Sequence, residues 1–373
     1  MQRRHSPIIL SAILSAGLLA ANAQQSAETL AELEWIPKNA SLVLLFEQPP
    51  RTEAALFAGF RSEILFATQM AGAFQAVASS LGPAGQAGIR RSVIAAVPLG
   101  GGNQGTIGIL RGTFPADIRV SLTQNGEAPP RSYHGGDIYS VPATPSYART
   151  LSVAFLDQEH LAFGDRAAVE TCVDLKNGRR NDSFLQNSVF SALAREVSSG
   201  SQAWGLITPD WLNVQKAAQD SSPSEIDGHS FGRSLANLRW VVFSAQFSSD
   251  IRFHMQTRAA DPQDAALLTD ELRSYLIRAR ASAAGPPEVR QVVDQAAVAH
   301  TGERVDLFMT VTGPAMQRIK NNEVSRSLFR WRWGVEEREA RENVREVFDL
   351  LGVDKGRVVA DVGAGGGFYT VRL

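Results

Sequence analysis

Short apolar runs separated by polar turns occupy much of the chain, and between them lie longer stretches with helical spacing. The runs that predict β-strands in the first third of the chain are 42–46, 92–99 and 106–114. Residues 52–81 are rich in alanine, leucine and phenylalanine at helical spacing, which predicts a helix that ends at Gly82-Pro83. A shorter helix is predicted for 116–123.

Three pairs of apolar runs enclose a short polar turn, which is the pattern of a β-hairpin. The three turns are Gly135-Gly136, Asp157-Gln158-Glu159 and Ser248-Ser249-Asp250. Helical spacing follows the second turn at 166–176 and the third turn at 262–281. The order strand, strand, helix therefore occurs twice, which indicates a weak internal repeat with little residue identity.

Strands grouped as hairpins with helices between them predict an α+β fold, in which helices cover one face of an antiparallel sheet. We assign this fold to residues 28–322, which end with a strand at 304–312 and a short helix at 314–320. This region loosely resembles uncharacterised secreted bacterial α+β proteins, a likeness that implies no activity. The domain boundary is placed at 322–334, where the composition becomes dense in charges of both signs.

The first 23 residues have the pattern of a secretory signal peptide. Arg3 and Arg4 precede an apolar run at 8–20, and Ala21-Asn22-Ala23 forms a small-x-small cleavage site. The apolar run is short for a membrane span, and no second long apolar stretch follows it. We therefore expect an exported protein, periplasmic or secreted, without a transmembrane segment in its mature form.

The composition narrows the classes of function. The 373 residues contain 37 lysines and arginines against 38 aspartates and glutamates, which argues against broad electrostatic binding of nucleic acid. The single cysteine, Cys172, allows no internal disulfide, and we interpret it as a buried apolar group on a helix. The histidines show no short metal-ligand spacing, so no metal site is expected.

Residues 100–105, GGGNQG, match the nucleotide-binding pattern G-x-G-x-x-G. That pattern must open a helix whose amides face the phosphates, whereas the sequence that follows, TIGILRGTF, is typical of a strand. We interpret the glycines as a hairpin loop.

Residues 228–232, GHSFG, match the nucleophile elbow G-x-S-x-G and would make Ser230 a nucleophile. A further HGG at 134–136 is a candidate oxyanion loop. The candidate acids and bases downstream are Asp261, Asp294, His254 and His300. The elbow requires a preceding buried strand, and the polar sequence SSPSEID stands there instead, so an esterase is kept only as an alternative.

The last glycine-rich motif, DVGAGGG at 361–367, follows directly from the apolar run 358–362. Gly363 and Gly365 lack a Cβ atom, so the backbone can turn sharply and approach a ligand closely. Amides that begin a helix after this turn would present the positive end of its dipole to an anionic group. A dinucleotide fingerprint would place its third glycine at position 368, which is Phe368, so the spacing favours another ligand.

Residues 335–373, and this motif above all, resemble the start of a class I S-adenosylmethionine-dependent methyltransferase. The resemblance implies a Rossmann-like α/β domain and transfer of a methyl group from a sulfonium to an acceptor that the sequence does not identify. In such an enzyme the protein mainly aligns the two reacting groups. The residues that would contact the cofactor S-adenosylmethionine are Asp361, Gly363, Ala364, Gly365 and Gly367.

The methyltransferase family has a seven-stranded sheet, of which this chain contains one strand and the first turns of one helix. We therefore expect residues 335–373 to be the incomplete start of that domain, and this chain not to bind S-adenosylmethionine measurably. Two alternatives stay open. One is a non-catalytic periplasmic or cell-envelope binding protein, and the other is the esterase that uses Ser230.

Overall fold

The computed structural model of the protein describes residues 27–48, 53–67, 70–100, 103–115, 117–124, 126–144, 147, 149–198, 201–212, 237–281 and 287–320. These residues build one large antiparallel sheet with helices packed on both of its faces. The segment 335–373, for which a Rossmann-like domain is predicted, lies outside the described residues.

Twelve strands form the sheet, and every neighbouring pair is antiparallel. They are β1 (Leu42–Glu47), β2 (Ile89–Gly100), β3 (Asn103–Gly112), β4 (Arg131–Tyr133), β5 (Gly136–Val141), β6 (Leu151–Phe155), β7 (His160–Gly164), β8 (Ala203–Ile207), β9 (Leu238–Phe247), β10 (Asp250–Ala259), β11 (Ala297–Thr301) and β12 (Arg304–Thr312). Their order across the sheet is β11-β12-β10-β9-β8-β1-β2-β3-β7-β6-β5-β4. The predicted antiparallel hairpins are confirmed.

Strand β1 shows why the central strands read as unbroken apolar runs. Leu42, Leu44 and Phe46 point into one apolar core, and Val43 and Leu45 point into another on the opposite face. Successive side chains of a strand alternate between faces, so a strand covered on both sides needs apolar residues at every position. The two layers are called here the first core and the second core, and the faces they cover the first face and the second face.

Nine α-helices connect the strands. They are α1 (Ala54–Ala67), α2 (Ala71–Ser80), α3 (Gly82–Gly88), α4 (Ile118–Gln124), α5 (Arg166–Lys176), α6 (Ser188–Ser198), α7 (Pro262–Ala281), α8 (Pro287–Asp294) and α9 (Gly313–Lys320) within the described part of the chain. Helices α1, α2, α4, α7, α8 and α9 contribute buried residues to the first core.

The expectation that helices cover only one face is wrong. Helix α5 buries Val169 and Cys172 in the second core, and α6 buries Leu193 and Ala194 there. A 3-10 helix, Ala27–Trp35, also lies on this second face. Apolar residues that alternate along β1 leave both faces in need of cover, which is the physical reason for the difference.

The strand order contains the same five-strand pattern twice. Reading outward from the antiparallel pair β1–β8, one side runs β1-β2-β3-β7-β6 and the other runs β8-β9-β10-β12-β11. We call the first set, with its connections, the first unit and the second set the second unit. The first unit carries an added hairpin, β4–β5, at the outer edge of the sheet. This repeat differs from the one predicted from the sequence, which matched β6, β7 and α5 with β9, β10 and α7, because in the sheet β6 and β7 correspond to β11 and β12.

Two local predictions differ from the structure. Residues 52–81 form two helices, α1 and α2, rather than one, and Gly82-Pro83 begins the short helix α3 instead of ending a structure. Proline is well tolerated in the first turn of a helix, because the amide it lacks has no partner there. In the β4–β5 hairpin the turn is His134-Gly135, both with positive φ, rather than Gly135-Gly136.

Within the described residues, no helix combines the length and the apolar character that crossing a membrane requires.

Candidate functional site

A matched ion pair aligns the two units residue by residue. In the first unit, Arg111 Nε on β3 donates to Glu159 Oε2 at 3.3 Å. In the second, Arg258 Nε on β10 donates to Glu303 Oε2 at 2.7 Å. Each arginine lies on the third strand of its unit, and each glutamate stands immediately before the last strand. The strand registers therefore give equivalent positions across the whole second face.

Equivalent positions on the second face carry opposite chemistry. In the first unit they are Ala95, Ile107, Ile109 and Ala162. In the second unit they are Ser244, His254, Gln256 and Asp306. The first set is fully buried in the second core, beneath α5. The second set is polar throughout.

Among the described residues, no helix packs extensively on the second face of β10 and β12, although Gln256 and Asp306 are themselves buried, at 5% and 7% exposure, and Glu196 of α6 acts electrostatically on Arg304. The helices that pack against these two strands are α7, α8 and α9 among the described residues, and all three belong to the first core. We call this surface the open face. Its residues are Arg252, His254, Gln256, Arg304, Asp306 and Phe308.

Asp306 is the centre of a hydrogen-bonded cluster on the open face. Its Oδ1 lies 2.7 Å from His254 Nε2, and its Oδ2 accepts from Arg304 Nε at 2.8 Å. The His254 ring stacks on Phe308, with 4.4 Å between centroids and 8° between planes. With its amide oxygen turned to Arg304, Gln256 accepts from the same Nε at 3.1 Å. Five side chains from two strands are thus held in one fixed arrangement.

The carboxylate of Asp306 stays charged in this setting. Burial alone raises the pKa of Asp306, but its contacts with His254 and Arg304 outweigh burial, so the pKa is lowered. Asp306 in turn raises the pKa of Arg304, against a smaller opposing effect of burial. A carboxylate that accepts from one imidazole nitrogen fixes the orientation of the ring. His254 is thereby placed to accept or donate through its other nitrogen.

Arg252 extends the polar surface along β10, two residues before His254. Its neighbours across the sheet are Gln246 and Thr310. The side chain is exposed, and its guanidinium forms no ion pair with any residue in the described ranges. The open face therefore combines an exposed guanidinium with an imidazole fixed by a carboxylate.

The residues singled out from the sequence fall into two groups. Ser230 lies outside the described residues, as do the residues of the terminal motif, Asp361, Gly363, Ala364, Gly365 and Gly367. The other proposed members of an esterase are not brought together. Asp261 Oδ1 accepts from two amides at the start of α7, and Asp294 pairs with Arg280. His254 does have an acidic partner, but that partner is Asp306.

Asp306 was missed by sequence reasoning. It lies near the start of the strand RVDLFMTVT, so the only signal was a pair of charged residues, Arg304 and Asp306, at the beginning of a mostly apolar run. Its contact with His254 spans 52 residues of sequence and depends on the β10–β12 register. The HGG fragment at 134–136 is a hairpin turn, in which His134 contacts Asp174 of α5 at 2.7 Å.

Two interpretations of single motifs are confirmed. Cys172 is fully buried on α5, where burial raises the pKa of its thiol far above the ordinary range. A thiol that stays protonated is not a nucleophile. The strands β2 and β3 pair up to Gly100 and Asn103, which confirms the hairpin interpretation of GGGNQG.

A shallow cleft of about 410 Å³ lies on the first unit, away from the open face. Its walls include Glu34 and Trp35 of the 3-10 helix, Lys176 and Arg180. Lys176 Nζ stands 5.1 Å from the centre of the Trp35 ring, so one face of that ring is already occupied. The cleft lacks the convergent hydrogen bonds of the Asp306 cluster, and we therefore place the candidate site on the open face.

In the part of the chain that the structure describes, no three histidine, cysteine, aspartate or glutamate side chains are grouped so that they could hold a metal ion. Comparisons of the chain with protein-family models, with curated proteins and with solved structures find no match.

Proposed function

We propose that the protein is an exported, non-catalytic binding protein of the cell envelope, and that its ligand binds to the open face. The observation that carries the proposal is the contrast between Ile107 and Ala162 beneath α5 and their equivalents His254 and Asp306. Removing polar groups from water costs free energy unless they are paired, so a face that only had to pack would keep apolar residues. The second unit spends polar residues on a face against which no described helix packs extensively.

The charges of the open face favour a ligand with carboxylate groups. Arg252 offers an exposed guanidinium, whose paired N–H groups match the geometry of a carboxylate. His254 lies on the same face of β10, two residues after Arg252. Its ring offers a second donor when it is protonated. Both carboxylate oxygens of Asp306 are already engaged, one by His254 and the other by the guanidinium of Arg304, which weakens the repulsion of such a ligand.

Soluble muropeptides, the disaccharide peptides released from peptidoglycan by lysozyme, are a suitable probe because they carry carboxylates and belong to the cell envelope. Nuclear magnetic resonance of the imidazole and guanidinium nitrogens would follow their titration into labelled protein. We expect saturable shifts at His254 and Arg252, and an Arg252→Ala variant that binds about tenfold more weakly, since a charge-assisted pair is lost. The matched control is Arg179→Ala, an exposed arginine on the first unit.

The control variant should bind as the unchanged protein does. Binding that is lost equally in both variants, or that shifts resonances elsewhere and leaves His254 unmoved, would place the ligand off the open face. Muropeptides that cause no shift at all would reject this class of ligand.

A second proposal concerns residues 335–373, which we propose to be the start of a methyltransferase domain. Its support is the sequence alone, in which the apolar run 358–362 leads into the glycines of 363–367. Asp361 would accept hydrogen bonds from the amino group of S-adenosylmethionine, and the glycine amides would face its carboxylate. The methyl acceptor is not identified by any residue of the chain.

The coding sequence downstream of codon 373 tests the second proposal. We expect a second apolar strand that ends in an acidic residue about 20–25 residues further on, where it would hold the ribose hydroxyls. Unrelated polar sequence there would remove the proposal. Calorimetric titration of the 373-residue chain with S-adenosylmethionine should show no binding, and micromolar binding would contradict the expectation that the site is incomplete.

A further inference from the structure

The 3-10 helix Ala27–Trp35 places a carboxylate inside the protein. Glu32 is 1% exposed, and its Oε1 and Oε2 lie 3.3 and 3.4 Å from Arg91 Nη1. The same carboxylate faces His160 of β7, with 3.7 Å between Oε1 and Nε2. Arg91 also binds Glu47 at 2.9 Å. A buried carboxylate without such cations would be strongly destabilising, so this segment depends on them.

His160 stands between two carboxylates. Its Nδ1 lies 2.8 Å from Asp157 Oδ1, on the side of the ring opposite Glu32. The contact with Glu32 is at ion-pair rather than hydrogen-bond distance, so a neutral ring would turn the lone pair of Nε2 towards an anion, whereas an imidazolium attracts both carboxylates. The geometry therefore fits the protonated ring. The edge of the ring also meets Trp35, at 4.9 Å between ring centroids.

The other charges around His160 do not change this conclusion. Glu159, the next residue in the chain, is engaged by Arg90 and Arg111. Lys176 of α5 lies over Trp35 and not against the imidazole. Counting the groups that meet at the site, the carboxylates of Glu32, Asp157 and Glu47 face the cations Arg91 and His160. Loss of the imidazolium would leave three anions against one guanidinium.

We propose that residues 27–35 form a pH-sensitive strap, which protonated His160 holds against the sheet through Glu32 and which loosens when His160 loses its proton. The strap is anchored at its far end by Leu33 and by Ile36 just beyond it, both fully buried, so the loosening is local. Trp35 and Glu34 belong to the strap and also form one wall of the cleft on the first unit.

The directions of titration agree with the geometry. Burial alone lowers the pKa of His160, but its interactions with Glu32 and Asp157 outweigh burial, so the pKa is raised. A group whose folded pKa lies above its unfolded pKa of about 6.5 contributes stability at low pH and loses it as the pH rises through the folded pKa. The strap is therefore held below the folded pKa of His160 and is released as the pH rises through it.

Tryptophan fluorescence across pH 5.5 to 9 tests the strap, with Trp35→Phe subtracted so that the emission of Trp35 is isolated. A protonated imidazole beside an indole quenches it, so we expect the Trp35 signal to rise in one step whose midpoint lies above the ordinary histidine pKa of about 6.5. His160→Gln should abolish the step, and Glu32→Gln should move its midpoint to lower pH. The matched control is His300→Gln, an exposed histidine on β11, which should leave the step unchanged.

A step that persists in His160→Gln, or no step in the unchanged protein, would overturn the proposal. Should His160→Gln fail to fold, the imidazole resonances of the unchanged protein decide the matter directly. The proposal then requires a His160 pKa above that of His300, together with amide exchange in 27–35, corrected for the intrinsic effect of pH, that quickens through the same titration. A His160 pKa at or below that of His300 would equally overturn it.

Discussion

The two units of the sheet share a strand order and a matched arginine–glutamate pair, yet the second faces of their third and last strands differ in chemistry. In the first unit, Ile107 and Ala162 are fully buried beneath α5. In the second, His254 and Asp306 stand at the same positions and are bonded to each other on a face against which no described helix packs extensively. The same backbone register tolerates both, so side chains and not topology decide which face becomes core.

The helices that follow the last strand of each unit pack on opposite faces of the sheet. Helix α5 turns onto the second face, where Val169 and Cys172 cover apolar strand residues. Helix α9 turns onto the first face and places Ala315 and Met316 in the first core, in contact with α1. An apolar helix would gain little from covering Asp306, because apolar burial is what stabilises such packing. One unit therefore closes a core while the other keeps a polar surface.

Placing a charged residue of the open face at the equivalent position of the first unit, beneath α5, should change the free energy of unfolding the most. Ala162→Asp would place a carboxylate beneath α5, at the position equivalent to Asp306 but without its histidine and arginine. We expect a loss of about 3–5 kcal/mol in the free energy of unfolding, since an unpaired charge would be buried. Urea unfolding followed by circular dichroism measures it.

Thr301→Asp, an exposed position opposite Arg304 at the edge of the open face, is the matched control. It should change the free energy of unfolding by no more than about 0.5 kcal/mol, as is usual for surface substitutions. If Ala162→Asp were as well tolerated as this control, the two faces would not differ in the way described.

Removing the central carboxylate of the open face should have the next largest effect. Asp306→Ala leaves His254 and Arg304 without their shared acceptor, and we expect a loss of about 2 kcal/mol. The double variant His254→Ile, Asp306→Ala, which copies the apolar chemistry of the first unit, should lose less than the single variant, because the imidazole is no longer left without its acceptor. A double variant that loses more would mean that the cluster itself stabilises the sheet.

Lowering the pH should erase the effect of Asp306 gradually. Because the pKa of Asp306 is lowered below its unfolded value of about 3.9, its contribution is present above that pH and is lost as the pH falls through the folded pKa. The stability difference between the unchanged protein and Asp306→Asn should therefore shrink in urea titrations taken from pH 6 towards pH 2.5. A difference that stays constant or grows in acid would contradict the ion pairs drawn at this residue.

The sequence predicted one side of this comparison better than the other. Strands β6 and β7 and helix α5 follow from two apolar runs around a polar turn. Strand β11, AVAHT, lies at the edge of the sheet and is mostly exposed, so it does not need an apolar run. It was not predicted, and neither was α8. Without β11 the sequence matched β6, β7 and α5 with β9, β10 and α7, which are not their equivalents in the sheet. The short β8 was missed as well, so the central pair β1–β8 could not be inferred.

The pairing of His254 with Asp306 on the open face could not be predicted from the sequence either, for a different reason. His254 was named from the sequence, but as the partner of acids that serve elsewhere, Asp261 as a helix cap and Asp294 as a partner of Arg280. Its contact with Asp306 depends on two strands coming into register across α7, α8 and β11. Periodicity identifies which residues form a strand, but it does not say which strand lies beside it.

The two matched arginine–glutamate pairs should contribute the least to stability. Their coupling energies test whether the units share this pair because the fold requires it. Double-mutant cycles on Arg111–Glu159 and Arg258–Glu303, with alanine for each arginine and glutamine for each glutamate, should give coupling energies of about 0.2–1 kcal/mol, since all four side chains are partly exposed. The first cycle should give the smaller value, because Glu159 keeps Arg90 as a partner at 3.5 Å when Arg111 is removed. Both values should fall as salt is raised.

A small coupling would mean that this geometry is repeated in both units although neither unit needs it for stability, as expected for two copies that descend from one arrangement. A coupling energy well above 1 kcal/mol in both cycles would mean instead that the pair is needed for stability. Any sheet with this strand order would then require such a contact at the turn before its last strand. The same measurement made at two salt concentrations separates these readings, because a structural requirement met by packing around the pair would persist when the charges are screened.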